Sequence, residues 1–546
     1  MAIVTFGLDE LESLGVAKQD IGTAVERLGM SLESIDGKSV TIDVTPNRPD
    51  MLDITGFARA ANFLLGKKVP KEKFYTAKKD IAMRIKVTGA VRRTRPFISA
   101  CVAKGVDLKG DRLKDLINFT EKFCETYGRK RKKIAVGMYD LDKISGPLTY
   151  DASGKGSFVP LGSKETMEFK DILGKHDKGM EYSQILGDSR KYPFLADSNG
   201  IMSLIPIVNS EGTKVMEKTK DLFVEMTGTS RKAVEDSINM IACSFIDSGA
   251  EIYTCEIAYP SRTVQTPSME YKSIRVKRSK VERTLGIYLE GSKAIGLANK
   301  LGHAAVKYGS YTIAYVPPYR LDMLNEQDLI EDMAIAYGYE KIEPMPVVGT
   351  SNGLPDESRV LANRMSMLMI GMGFTEAMNT YLTNERLNFY SMNQKDDPNS
   401  TIRVAYAKTE SITMLRTTLL PMLMQNLGAS ASERMPQRLF EIGSVFRIRG
   451  SNISEKVNIG IASEHPKANY SEIKSAVQEL MAFMGCKDYK FEELNDPAFI
   501  KGRAARLIVK GDYAGPLGEI NPEVLGKFRI EEPVVAAEID ISKLLR

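Results

Sequence analysis

Two groups of polar residues in this chain have types and spacings that could do chemistry. The first is acidic. In PYRLDMLNEQDLIEDMAIAYGY, residues 318–339, five carboxylates fall within the first fifteen residues. Asp328, Glu331 and Asp332 stand at i, i+3 and i+4, so on a helix they share a face and repel one another. Asp322 lies six residues before Asp328, just past Pro317 and Pro318, on an extended approach. Such a set reads in two ways. It is a solvated acidic helix start, favoured by the macrodipole, or a site for a hard cation such as Mg2+, which takes oxygen ligands from one or two carboxylates plus water.

The second group sits at strand ends. SLIPIVNSEGTKV (203–215) and DLFVEMTGTS (221–230) each read as an apolar strand ending in small polar residues. Asn209, Ser210 and Thr213 follow the first strand; Glu225, Thr227 and Thr229 lie on or after the second. If the strands are neighbours, their ends form a polar pocket without a nucleophile–base pair. Such a pocket suits recognition of a small polar ligand more than covalent chemistry. The alternative is that these side chains satisfy local backbone. Two further spots stand out. Asn47 and Arg48, held between Pro46 and Pro49, are either an interaction point or a helix-capping turn. Arg129 to Lys133 form a basic run that either neutralises phosphate or guards a sheet edge.

The elements that position these residues follow from pattern. Leu329, Ile330, Met333, Ala334 and Tyr337 recur at three- and four-residue spacing, which predicts a helix with one packed face and Gly338 as its stop. Residues 1–80 predict a small α/β module, with a strand over 40–44 and a helix that carries Ile54, Phe57, Ala58, Ala61, Leu64 and Leu65 on one face. Residues 81–265 predict a longer α/β domain. Residues 266–346 predict a small helix-turn-helix-like domain with a wing. After GTSNGLPDES, residues 350–546 predict a large antiparallel α+β domain, in which QRLFEIGSVFRI alternates as a strand with one apolar face.

Composition excludes several classes. At 546 residues the chain is multidomain. Hydrophobic content of 43% and charged content of 27% are those of an ordinary globular protein. No apolar run is long enough for a membrane span, and the acidic start MAIVTFGLDELESLG is unlike a signal peptide, so a cytoplasmic location is expected. Charge is nearly balanced, 75 basic against 70 acidic residues, which does not by itself demand nucleic acid. Five scattered cysteines and three isolated histidines argue against disulfides and zinc. No GxxxxGK[ST] or GxGxxG loop is present.

Eight blocks, in order, carry a resemblance: DVTPNRPDML, KGMEYSQIL, IPIVNSEGTKV, FVEMTGTS, YRLDMLNEQDLIEDMAIAYGYEKI, LRTTLLPMLMQNL, RLFEIGSVF and GEINPEVLGKF. Together they resemble the β subunit of phenylalanyl-tRNA synthetase, of the archaeal and eukaryotic type, from end to end. The resemblance implies an α2β2 heterotetramer with an α subunit. That complex uses ATP and phenylalanine to charge tRNA-Phe. It also implies Mg2+ near the α contact, with Asp322, Asp328, Glu331 and Asp332 at the family's ligand positions. Residues 81–265 would be an editing module that hydrolyses tyrosine wrongly attached to tRNA. Glu225 would accept the tyrosine hydroxyl, Thr227 would stand beside it, and Asn209 and Ser203 would line the rest. A positioned water would attack. The last domain is similar to a class II synthetase body without its catalytic motifs. Where the active subunits have an arginine two residues before a glutamate, this chain has Leu439 before Glu441. Aminoacylation would therefore belong to the α subunit. Two other readings remain at this level: a stand-alone aminoacyl-tRNA hydrolase, and a purely structural tRNA-binding partner.

Overall fold

The computed structural model describes residues 2–71, 74–187, 189–290, 292–347, 349, 353–407 and 409–544. The chain divides into two compact units, Met1–Pro346 and Val347–Arg546.

The first unit opens with β1 (Ala2–Gly7), α1 (Leu8–Ser13), α2 (Lys18–Arg27), β2 (Ser31–Ile35) and β3 (Ser39–Val44). The strands pair antiparallel in the order β1-β3-β2. A short turn at Pro49–Leu52 leads into α3 (Ile54–Leu64), whose small residues let it be buried on nearly every side.

A ten-stranded sheet follows. Its strands are β4 (Lys78–Val87), β5 (Phe97–Lys104), β6 (Ile134–Asp140), β7 (Leu148–Ser153), β10 (Tyr192–Asp197), β11 (Gly200–Leu204), β12 (Val208–Asn209), β13 (Asp221–Gly228), β14 (Glu251–Tyr259) and β15 (Arg262–Thr266). A small ribbon, β8 (Ser157–Phe158) with β9 (Met167–Glu168), lies apart from it. The helices are α4 (Arg112–Glu125), α5 (Phe169–Lys175), α6 (Asp177–Tyr182) and α7 (Arg231–Asp247). The strand order is β12-β11-β10-β7-β4-β14-β5-β13-β6, with β15 on β14. Only β4 runs parallel to its neighbours, β7 and β14. Strand β13 is buried from Leu222 to Gly228, so both of its faces are covered, and α7 packs on it and on β5.

The unit ends with β16 (Lys272–Lys277), α8 (Arg278–Leu285), α9 (Lys293–Asn299), β17 (Ala304–Tyr308), β18 (Tyr311–Val316) and α10 (Glu326–Tyr337). The strands pair antiparallel as β16-β18-β17. One buried core runs through all three segments, joining Phe57, Ile238 and Met333 among others. The boundaries expected near residues 80 and 265 therefore fall between sheets, not between cores.

The second unit comprises α11 (Glu357–Gly371), β19 (Thr375–Glu376), β20 (Leu382–Thr383), α12 (Glu385–Asn388), β21 (Met414–Leu415), α13 (Leu420–Ala429), β22 (Gln437–Arg449), β23 (Asn452–Glu464), α14 (Tyr470–Phe483), β24 (Tyr489–Glu493), β25 (Phe499–Val509), β26 (Asp512–Ile520), α15 (Pro522–Phe528) and β27 (Val534–Asp540). Its seven-stranded sheet, β19-β22-β23-β27-β26-β25-β24, is antiparallel except at β19. Residues of α11 and α14 share a core on one face, those of α13 and α15 on the other. This arrangement overrides the single apolar face expected for β22, where Phe440, Glu441, Ser444 and Val445 are all buried. Among the described residues no helix is long and apolar enough to cross a membrane.

Candidate functional site

Strands β11 and β13 are not neighbours in the sheet; they stand near its opposite ends. The curl of a strongly twisted sheet brings those ends together. Asn209 Nδ2 on β12 donates to the Met138 carbonyl on β6 at 3.2 Å. The Tyr139 hydroxyl contacts Ser203 Oγ on β11 at 2.8 Å and Glu225 Oε1 on β13 at 3.4 Å. At this seam lies a cavity of about 260 Å3, with Leu116, Ile117, Met138, Asn209, Glu225 and Thr227 on its wall. Ser203 is not on that wall. It is buried and bonded to Tyr139, so its place is a support, which corrects its expected role as a lining residue.

Glu225 is 2% exposed. Its Oε2 is buried and has no hydrogen-bond partner. Burial drives its pKa up to about 8, against the opposing pull of Arg95 and of the Tyr139 hydrogen bond. At neutral pH the carboxyl is therefore mostly protonated, so it can both donate and accept. Thr227 is fixed by Arg95, whose Nε donates to the threonine hydroxyl at 3.0 Å and whose Nη2 donates to its carbonyl at 2.7 Å. The cavity wall holds no Ser, Cys or His among the described residues. Lys178 and Lys214 at its rim are in exposed ion pairs with Glu121, Glu181 and Glu211. The pocket is built to recognise and position, not to form a covalent adduct.

Residues that the sequence did not assign to this pocket also shape it. Gly137 pairs across from Glu225 in the β6–β13 register. A Cβ there would lie 2.5 Å from Glu225 Oε1 and 2.7 Å from the Tyr139 hydroxyl, so any side chain at this position would push the carboxyl or the phenol aside. Arg131 Nη1 donates to the carbonyls of Pro206 and Ile207 at 3.1 and 2.8 Å, which pins the turn between β11 and β12. Its guanidinium lies 4.2 Å from the centre of the Tyr182 ring. Within the basic run, Arg131 is thus a brace, while Arg129, Lys130 and Lys132 are exposed. The lone glycine in VGMYD was the available signal, but its meaning depends on strand pairing.

The acidic helix is organised differently from the expected cation shell. Asp328 Oδ2 accepts from the backbone nitrogens of Leu324 and Asn325 at 2.7 and 2.8 Å, as half of a capping box. Asp322 receives Arg320 Nε and Nη2, both at 2.8 Å. Asp332 is buried and receives Arg320 Nη1 and Nη2 at 2.7 and 3.0 Å, together with His303 Nε2. Burial alone would raise the Asp332 pKa, but Arg320 and then His303 hold it well below the usual carboxylate range. Glu331 is exposed. Among the described residues no group of three or more His, Cys, Asp or Glu is placed to hold a metal. Asp322, Asp328, Glu331 and Asp332 therefore do not fit a magnesium shell within this chain, because Arg320 stands as the cation between two of them. A second buried set, near enough for Arg320 to act on Asp50 electrostatically, holds Arg48, bidentate to Asp50 at 2.9 Å, and Arg59, which contacts Asp50 at 3.2 Å and also Asp247. Arg48 is a buried ion-pair member, neither an interaction point nor a cap; Asn47 beside it is exposed.

In the second unit Arg416 is fully buried, donating to the Ser444 carbonyl at 2.9 Å and to Glu441 Oε1 at 2.5 Å. Asn379 holds the other Glu441 oxygen at 2.8 Å. Glu538 accepts from the Leu419 backbone and from Asn458 at 2.9 and 2.6 Å. Glu441 and Glu538 of this sheet thus face internal partners.

Comparison with known proteins is decisive. Family profiles match over residues 343–541 (phenylalanyl tRNA synthetase beta chain CLM domain), 274–339 (tRNA synthetase B5 domain) and 110–244 (B3/4 domain). The phenylalanine–tRNA ligase beta subunit of Archaeoglobus fulgidus is 35% identical over 546 residues, covering 99% of this chain and 98% of the relative. That of Methanosphaera stadtmanae is 34% identical, with 100% of each chain covered. This chain belongs to the phenylalanine–tRNA ligase β-subunit family. An N-terminal fragment of the phenylalanyl-tRNA synthetase β subunit from Pyrococcus horikoshii also resembles it in structure, with a TM-score of 0.59 and 30% identity, covering 62% of this chain and 100% of the fragment. Within this β subunit the B3/4 match contains Ser203, Asn209, Glu225 and Thr227; the B5 match contains Arg320 and all four acidic residues; the CLM match contains Arg416 and Glu441.

Proposed function

We propose that this β subunit joins an α subunit in an α2β2 phenylalanine–tRNA ligase, and that its seam pocket hydrolyses tyrosyl-tRNA. In this reading the α subunit binds ATP and phenylalanine and charges tRNA-Phe. The observation that carries the editing role is the unpartnered Oε2 of buried Glu225 on the pocket wall. A tyrosine side chain entering between Leu116, Ile117 and Met138 meets that oxygen with its hydroxyl. Phenylalanine leaves it unsatisfied. A site built around a hydroxyl discriminates strongly against the analogue without one, whereas a pocket for phenylalanine rejects an added hydroxyl poorly. Water then adds to the ester carbonyl, the bond to the terminal ribose oxygen breaks, and that oxygen takes the proton. Tyrosine and free tRNA leave. The β chain positions the ester; it supplies no nucleophile.

The placement of synthesis in the α subunit rests on the second unit. Leu439 replaces the arginine expected before Glu441, and Arg416 already occupies the glutamate. The test uses the assembled complex with Glu225→Ala and, separately, Gly137→Ala, which crowds the carboxyl without removing it. Loss of one buried hydrogen bond should slow Tyr-tRNA deacylation about 10- to 100-fold, with phenylalanine charging unchanged. Wild-type rates of Tyr-tRNA hydrolysis in both variants would overturn the assignment.

A further inference from the structure

A second cavity, of about 400 Å3, lies within the first unit, away from the seam. Its walls are aromatic. Tyr75 stands edge-on to Tyr319 with ring centres 5.4 Å apart, and Phe74 stands edge-on to Tyr75 at 5.0 Å. Phe63 on α3 also lines the slot. Arg59 forms part of the wall. Its guanidinium carbon lies 3.6 Å from the centre of the Tyr319 ring, and its two terminal nitrogens are bound to Asp247 and Asp50. Its Nε is buried and has no partner, although the residue is only 5% exposed. Leaving a buried donor unpaired is destabilising, and an acceptor on a molecule in the cavity would satisfy it.

Charge points the same way. Lys68 and Lys71 line the cavity and are exposed, and neither is in an ion pair among the described residues. Among the described lining residues the carboxylate, Asp247, is already bound to Arg59, so the two lysines are the charges left over. The volume is in the range of small-molecule sites. A slot between ring edges selects a flat molecule, and the cationic rim selects a negative group. We propose that this cavity binds a planar aromatic anion. Its ring enters beside Tyr75 and Phe74, an acceptor on the ring takes the Arg59 Nε–H, and the anionic group lies at Lys68 and Lys71. Nucleoside monophosphates and aromatic carboxylates share that chemistry.

The experiment is photolabelling of the assembled ligase with 8-azido-AMP and, separately, with 4-azidobenzoate, followed by peptide mapping. At least one probe should label the peptides that carry Phe63 to Tyr75. The double variant Lys68→Ala, Lys71→Ala, which touches only exposed side chains, should lower that labelling about tenfold, as expected for two screened contacts, while phenylalanine charging stays unchanged. The probe that labels better identifies the source of the ligand. Absence of label on these peptides with both probes, or labelling that survives loss of both lysines, would overturn the proposal. Neither result depends on whether the seam pocket edits.

Discussion

Replacing Glu225 with glutamine should stabilise the protein, and by an amount that grows with pH. The carboxyl's pKa rises from 4.5 to about 8 because burial removes its hydration. The folded chain therefore holds the proton more tightly than the unfolded chain does. For such a group the contribution to stability is fully present below about 4.5 and is lost as pH rises through about 8. Each pH unit inside that window removes about 1.4 kcal/mol. From the ordinary value of 4.5 to pH 7 the wild type thus loses about 3 kcal/mol through this one side chain. Glutamine keeps the shape of the protonated acid and a donor–acceptor pair for Tyr139, but it does not titrate. The gap in urea midpoint between Glu225→Gln and wild type should be small at pH 5 and widen steadily to pH 8. A gap that stays constant across that range would mean that Glu225 ionises at an ordinary pH. The reasoning that it offers a neutral acid to its ligand would then fail.

Two further outcomes test the charge networks. Chelating divalent cations with EDTA should leave the melting temperature of this chain unchanged, whereas Arg320→Ala should destabilise the first unit by about 3–5 kcal/mol, because Asp322 and Asp332 lose their shared cation in a buried setting. Arg416→Leu should cost the second unit a similar ~3–5 kcal/mol, seen in its denaturant midpoint, and adding Glu441→Leu should restore much of it, since removing both members leaves no unpaired buried charge.

Local patterning carried the elements well. The apolar spacing in the acidic stretch placed Leu329, Ile330, Met333 and Ala334 in the core of α10, with Gly338 at its end. The polar strand ends were also found, because apolar runs stop visibly at Asn209 and within VEMTGT. What the pattern could not give was partnership across distance. Arg320 reads as one basic residue before an acidic helix; only folding brings its guanidinium to Asp332, twelve residues on, and to His303 beside it. A set of carboxylates spaced like metal ligands thus became an ion-pair cluster and a helix cap. Tyr139 and Gly137 escaped notice for the same reason. Their significance depends on a sheet curl that sets β6 against β12, and neither strand's sequence records that closure.

The distinction between the two kinds of buried charge has functional content. Arg48, Asp50, Arg320, Asp332 and Glu441 lie in ion-paired sets, each with partners that compensate its lost hydration. Such sets fix relative positions; removing one member unbalances the others. Among the described residues three buried carboxyl side chains, Asp43, Glu225 and Glu464, leave an oxygen unpartnered, and of these Glu225 lines the seam cavity. Its neighbours make that oxygen available. Gly137 withholds a side chain, Tyr139 takes the other oxygen, and Arg95 is turned to Thr227 instead of forming an ion pair with the carboxyl. Had Arg95 paired with Glu225, the acid would be ionised and satisfied, and a ligand hydroxyl would gain nothing by entering. The unfavourable protonation that weakens the fold near pH 7 is therefore the same property that lets the pocket distinguish a phenol from a phenyl ring.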